Sequence, residues 1–131
     1  MTDVKSLLNK EIVYTSIMVK DIEKAKKFYQ DIFQFEVKFD GGNEVGWAEL
    51  ALPVEGARLG LNLAGDREIK HGSSMLVLTV NNLDDMKAYL EKKGVITTEI
   101  TDMPDMVSYF NMHDPDGNII QLVSEPRVKT K

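Results

Sequence analysis

The chain repeats itself. Laid over itself at a shift of 61 residues, Ile17-Met18-Val19 meets Leu78-Thr79-Val80, Asp21-Ile22 meets Asn82-Leu83, and Lys26 meets Lys87. Each half opens with an apolar run of strand length, passes through a capped amphipathic segment, and closes with three more strand candidates. The order of elements is therefore βαβββ, twice over, which restricts the fold to an α+β arrangement of tandem βαβββ modules. A length of 131 residues suits one domain, 1–131, with a first module over 11–63, a linker over 64–73 and a second module over 74–124.

In the first half, residues 12–19 alternate as a strand, and Asp21 is placed to cap a helix. Ile22, Ala25, Tyr29, Ile32 and Phe33 then recur at helical spacing, leaving Glu23, Lys24, Lys26 and Lys27 as a solvated face. Strands are expected over 35–40, 45–52 and 58–63, divided by the turn clusters Gly41-Gly42-Asn43 and Pro53 to Gly56. In the second half a strand is expected over 75–80. Asn82, with Asp85 three residues on, opens a helix striped by Leu83, Met86 and Leu90 and stopped by Gly94. Strands over 95–101, 106–112 and 119–123 complete the pattern. The last two are joined by Asp114-Pro115-Asp116-Gly117, in which Pro115 presets φ, Asp114 bonds forward to the backbone and Gly117 accepts positive φ.

Alternation sorts these strands into two faces. Val13, Thr15, Ile17 and Val19, with Leu59, Leu61, Leu63, Leu76, Leu78, Val80, Ile120 and Leu122, make the more apolar face, which should lie under the helices. The opposite face is mixed: Tyr14, Ser16 and Met18; Arg58, Gly60 and Asn62; Met75, Val77 and Thr79; Ile119, Gln121 and Val123. Such a mixture suits the lining of a small-molecule cavity, with a second core surface or a dimer seam as the alternative.

Composition removes several function classes. A net charge of −5 argues against nucleic acid, which needs clustered Lys and Arg to replace counterions. No run approaches the length of a membrane span and residues 1–10 lack a signal-peptide core, so neither membrane nor export is expected. The chain has no cysteine, hence no disulfide framework, which suits the cytoplasm. Ser73-Ser74 has no nucleophile elbow around it, and Gly41-Gly42 is a turn rather than a phosphate loop.

Two stretches resemble a known family. The run from Val19 to Tyr29, Val-Lys-Asp-Ile-Glu-Lys-Ala-Lys-Lys-Phe-Tyr, is similar to the opening signature of the vicinal oxygen chelate superfamily, which includes glyoxalase I, extradiol dioxygenases and bleomycin resistance proteins. Asp114-Pro115-Asp116-Gly117-Asn118 is similar to its closing hairpin. The resemblance covers about 12–123 and implies paired modules whose curved sheets enclose a shared cavity. In metal-dependent members a ligand starts the first strand of each module, seven residues before the helix opens, and another sits in the last strand. Those positions carry over to Tyr14, Met75, Asn62 and Gln121. None is a histidine or carboxylate. Tyr14 would have to ionise from a pKa of roughly 10, and a thioether and two amides are poor partners for a dication. No metal and no other cofactor is expected. His71 in the linker and His113 at the hairpin do not restore the site, since neither has a metal-binding partner at useful spacing.

Candidates for chemistry are Glu49 and Tyr14. Burial of Glu49 against Trp47 would raise its pKa and make a general base or a cation anchor; the alternative is an edge-strand Glu in water. Trp47, Tyr109 and Phe110 could stack on a planar ligand or belong to the core. The expected ligand-binding set is Tyr14, Met18, Trp47, Glu49, Asn62, Met75, Thr79 and Gln121. The resemblance implies a metal-free protein of the bleomycin resistance branch that binds a small molecule, sequestering a drug or metabolite. The alternative is a lyase, isomerase or dioxygenase of the same superfamily, metal-free through Glu49 and Tyr14 or with a non-standard metal site. Exposed sheet edges lead to the further expectation of a homodimer.

Overall fold

A computed structural model describes residues 3–71 and 74–130. Of the expected linker, residues 72 and 73 lie outside the described residues, as does Ser73 of the Ser73-Ser74 pair. Two compact units are present, Met1–Ile69 and Lys70–Lys131.

Unit 1 runs β1 (Val13–Val19), α1 (Ile22–Phe33), β2 (Val37–Asp40), α2 (Gly42–Val45), β3 (Trp47–Ala51) and β4 (Ala57–Leu63). Its four strands form one mixed sheet in the order β1-β4-β3-β2, with β1 parallel to β4 and the other neighbours antiparallel. Asp21 caps α1 by accepting from the Lys24 N–H. Ile22, Ala25 and Tyr29 are fully buried against the sheet, where Leu50, Leu59 and Leu61 are equally closed to solvent.

Two expectations are corrected in unit 1. Residues 42–45 form a short helix instead of a turn leading directly into a strand, because Asn43 is used elsewhere. Its Oδ1 accepts from the Ile22 N–H at 2.7 Å and its amide donates to Asp21 at 3.2 Å, so this segment is folded back onto the start of α1. A side chain on Gly41 would fall 2.6 Å from Val45 Cβ, so the tight return needs glycine there. Val13 and Thr15 are exposed rather than helix-covered, because α1 packs over β3 and β4 while β1 is an edge strand.

Unit 2 runs β5 (Leu76–Thr79), α3 (Leu83–Lys92), β6 (Thr101–Met103), β7 (Val107–His113) and β8 (Ile119–Ser124), in the sheet order β5-β8-β7-β6. Asn82 caps α3 through the Asp85 N–H, Leu83 and Leu90 are buried, and Gly94 follows the helix at φ 84°. The β7–β8 turn is held by Asp114, whose Oδ1 accepts from the Asp116 and Asn118 N–H groups. The strand expected over 95–101 is not formed. Lys87, a residue of α3, donates to Thr97 Oγ1 at 2.5 Å and to the Thr98 carbonyl at 3.1 Å, and the Thr98 hydroxyl accepts from Asn111 N–H. Side chains thus take the bonds a ladder would have made, leaving one bridge, Thr97 to Met112, before β6 begins.

Candidate functional site

Residues opposite one another in a sheet share a face. In unit 1 Tyr14 stands opposite Arg58 and Met18 opposite Asn62, while across the next pair Trp47 faces Asn62 and Glu49 faces Gly60. Five of the expected ligand-binding residues, Tyr14, Met18, Trp47, Glu49 and Asn62, are therefore on one side of one sheet, away from α1. Glu49 is their centre. Trp47 Nε1 donates to its Oε2 at 3.0 Å and Arg58 Nη1 to its Oε1 at 2.9 Å. The Trp47 indole meets the Tyr14 ring edge to face at 6.3 Å. It reaches diagonally across β4 to lie on Gly60, where a Cβ atom would fall 2.3 Å from the ring. Only glycine leaves room for an indole lying this close to the sheet.

The electrostatics of Glu49 reverse the expectation. It lies on the inner strand β3 with its side chain 15% exposed, so it is neither at an edge nor in water. Its pKa is nonetheless lowered from 4.5: the Trp47 N–H chiefly, then Arg58 and the Tyr14 hydroxyl, favour the anion by more than partial burial disfavours it. A carboxylate held ionised by these donors is a weak base. It is also no anchor for an outside cation, because Arg58 already fills that role. The sequence suggested burial but could not show that β4 would bring an arginine to the same carboxylate.

Asn62 extends the face toward the end of β4. Its Oδ1 accepts from Arg67 Nη2 at 3.2 Å, and Arg67 is fixed in turn by donating to the Leu63 carbonyl at 2.7 Å and the Ala64 carbonyl at 3.1 Å. Arg58, placed by alternation on the mixed face, and Arg67 are both absent from the expected ligand-binding set. Arg67 was hidden in a stretch of linker composition, and only its position just past the last strand of the module could have marked it.

In unit 2 the corresponding face is made differently. Val77 stands opposite Gln121 and Thr79 opposite Val123, and across β7 Gln121 faces Asn111 while Val123 faces Tyr109. Gln121 Nε2 donates to Asn111 Oδ1 at 3.2 Å. Met75 precedes β5 and is 45% exposed. Phe110 is on the other side, fully buried beneath the Lys87 ammonium, and belongs to the core. The uniform shift of 61 places Asn62 level with Val123 and Gln121 level with Gly60. The side-chain bond of Asn62 goes to Arg67 and that of Gln121 to Asn111.

The donor set does not suit a divalent metal. Asn62 offers an oxygen already receiving a guanidinium, Gln121 offers only an amide oxygen, Met75 is a thioether, and the Tyr14 hydroxyl is engaged with Glu49. Among the described residues no three His, Cys, Asp or Glu side chains cluster to hold a metal. His113 is exposed at the end of β7. His71, also exposed, lies against the β7–β8 turn, with Nε2 3.0 Å from where a Cβ of Gly117 would be.

Two grooves flank these faces. One of about 550 Å³ in unit 2 is lined by Thr79, the start of α3 and the segment from Ser124 to Arg127. Another of about 410 Å³ in unit 1 is lined by Ile12, Lys38, Leu52, Val54 and Arg58 among others.

Comparison with known proteins agrees with this architecture. Residues 11–122 match the Glyoxalase/Bleomycin resistance protein/Dioxygenase superfamily. A lactoylglutathione lyase of Schizosaccharomyces pombe is 28% identical over 146 aligned positions covering 90% of this chain, and the chain spans 48% of that protein's length. Among solved structures, a superfamily member from Sphaerobacter thermophilus superposes with a TM-score of 0.74 at 26% identity, covering 87% of this chain and 96% of its own. An antibiotic-binding protein from Streptomyces sp. CB03234 gives 0.72 at 25% identity, covering 89% and 97%. With the repeat, the strand order and these matches in agreement, the chain belongs to the Glyoxalase/Bleomycin resistance protein/Dioxygenase superfamily.

Proposed function

We propose that this chain is a small-molecule binding protein that works without a metal ion. The observation that carries the reading is Glu49, the central ionisable group of the unit 1 face, bonded by Trp47 and Arg58 and held as a settled anion. Reactive carboxylates are usually left poised near neutrality, whereas this one fixes an indole and a guanidinium in place, as the floor of a binding site requires. Similarity to an antibiotic-binding protein supports the same reading. Tyr14, Met18, Trp47, Glu49 and Asn62 form the floor of the site in unit 1; Met75, Thr79 and Gln121, also expected to bind a ligand, belong to the separate surface of unit 2. A lyase is the second reading, favoured by the 28% identity to a lactoylglutathione lyase.

The test is elemental analysis of purified protein, a thermal-shift screen of small organic molecules, and an assay for lactoylglutathione lyase activity. The expected result is no stoichiometric transition metal, one or more hits that raise the melting temperature, and no turnover. Tight zinc or nickel lost on Gln121→Ala, or turnover abolished by Glu49→Gln, would overturn it.

The same proposal includes a symmetric homodimer. Its support is the edge strands β1 and β5, which carry exposed apolar side chains, among them Val13 at 68% and Val77 at 47%. Light scattering that reads a monomer at micromolar protein removes this part. Cytoplasmic location, which a cysteine-free chain suits, is checked by cell fractionation.

A further inference from the structure

We infer that the ligand taken by the unit 1 face is an organic anion with a flat aromatic ring, a carboxylate seated on arginine with its ring on Trp47 and Tyr14. The inference rests on the reading of this face as a small-molecule site and names the class of molecule it selects.

Glu49 is paired by Arg58, and Arg67 bonds only the neutral oxygens of Asn62, Leu63 and Ala64, so among the described residues its guanidinium has no carboxylate partner. Glu11, Glu36 and Glu55 line the groove beside Arg58 together with Lys38, so the sign of the ligand is set by which donors on the face are left unused and not by net charge. Among the described residues Arg58 makes one bond, through Nη1, so its Nε and Nη2 donors remain for a ligand oxygen. Glu49 by contrast accepts from Trp47 and Arg58 with Tyr14 adding to them, which consumes most of a carboxylate's capacity. The Glu49 bond also orients the Arg58 fork, and a held guanidinium recognises a carboxylate at low entropic cost.

The apolar part of the class follows from the rings. Trp47 is fixed by Glu49 on one side and pressed on Gly60 beneath, and Tyr14 is 46% exposed beside it. Phe39, 46% exposed, stands opposite Glu49 on the same face. Preordered aromatic surface favours a flat conjugated guest, which loses little freedom on stacking.

Trp47 is the single tryptophan, so its fluorescence reports binding directly. The probes are 2-naphthoate, the neutral 2-naphthamide and the cationic 2-naphthylmethylammonium, which share a ring system and differ in charge. Naphthoate is expected to bind about tenfold tighter than the amide, the worth of a charge-assisted bond. The cation should be weakest, and raising sodium chloride from roughly 50 to roughly 500 mM should weaken naphthoate alone. Arg58→Gln and Arg67→Gln should each reduce naphthoate affinity with the amide unchanged. Arg67 is exposed, so its variant folds even if Arg58→Gln does not. Equal affinity for all three, or preference for the cation, overturns the anionic class while leaving a small-molecule site standing. Unchanged naphthoate affinity in Arg67→Gln, without salt dependence, also overturns it. No quenching of Trp47 by any probe overturns both the class and the assignment of this face.

Discussion

Units 1 and 2 share a strand order and a helix start but differ on the open face of the sheet. Level positions read Trp47 and Tyr109, Glu49 and Asn111, Gly60 and Gln121, Arg58 and Ile119. In unit 1 a carboxylate is held by an indole and an arginine; in unit 2 the same central place holds one neutral amide pair. Unit 2 instead concentrates its charge at the chain's end. Arg127 pairs with Asp102 and Asp84, Ser108 donates to Asp102 at 2.6 Å, and Thr130 bonds Asp105. A repeated fold needs only the apolar phase of its core strands to be kept, so the open faces are free to diverge. On the proposed reading the polar groups on the unit 1 face serve recognition, while those at the tail of unit 2 bond residues 127 and 130 back onto Asp84, Asp102 and Asp105.

The largest expected effect comes from Gly60. Gly60→Ala would set a Cβ 2.3 Å from the Trp47 ring, forcing the indole off the sheet and breaking its bond to Glu49. Overpacking of this kind costs about 3 kcal/mol at the upper end, and the tryptophan emission should shift red. Gln121→Ala at the level position of unit 2 should cost less than half as much. Equal losses in denaturant melts would erase the difference between the faces.

Next is Glu49→Leu, which strands the Trp47 N–H and one side of Arg58. Leaving a half-buried donor and a charge without partners should cost about 2 kcal/mol, against about 1 kcal/mol or less for Asn111→Leu, where only neutral groups lose a bond. Glu49 also carries a pH signature. Its folded pKa is lowered, so its contribution is complete above the unfolded value of 4.5 and is lost as pH falls through the folded value. In Glu49→Leu that part of the acid sensitivity should vanish.

Much of this fold was legible because apolar phase is dictated by burial. Ile22, Ala25 and Tyr29, or Leu59 and Leu61, could face only inward, and Asp21 and Asn82 announced the two helices through capping chemistry. What escaped was decided by side chains reaching across the chain. Asn43 takes the N–H of Ile22 and makes a helix of a turn, and Lys87 takes Thr97 and Thr98 and dissolves an expected strand. The site was readable to the same depth. Alternation placed Tyr14, Met18 and Asn62 together, but the lowered pKa of Glu49 depends on Arg58 arriving from β4, and the partner of Asn62 comes from a linker-like stretch. Local pattern carries face and phase; it does not carry which distant donor meets which acceptor.

The tail of unit 2 offers a smaller effect, read by titration. Asp102 is lowered from 3.8 to about 2, by Arg127 first and Ser108 second, against partial desolvation. Because the folded pKa is the lower one, the stabilisation is complete above about 4 and is lost as pH falls toward 2. Arg127→Ala should return the carboxyl toward its ordinary value and move the acid unfolding of unit 2 to higher pH, with Glu49 unmoved. Carbon-detected NMR of the two carboxyls measures both; an Asp102 titration unaffected by Arg127→Ala would show that the clasp is not what holds it.

The smallest effect is Gln121→Leu. The change removes the donor to Asn111 Oδ1, and both side chains belong to residues only partly covered. Water can reach the amide left behind, so the loss should be about 0.5–1 kcal/mol, the net worth of one neutral hydrogen bond. Asn111→Leu alone should cost the same. The double variant should cost less than their sum, because replacing both partners by apolar groups leaves no polar atom unmatched. Thermal melts of the four proteins give this coupling directly, and simple additivity would mean that the two amides act independently despite the 3.2 Å between them. The same variants separate the two faces as recognition surfaces. If an anionic ring is bound by Arg58 and Trp47, naphthoate affinity should be unchanged in all of them, since every group that selects its charge and stacks its ring lies in unit 1. A marked loss in Gln121→Leu would move recognition into unit 2 and reverse the division of labour between the repeats.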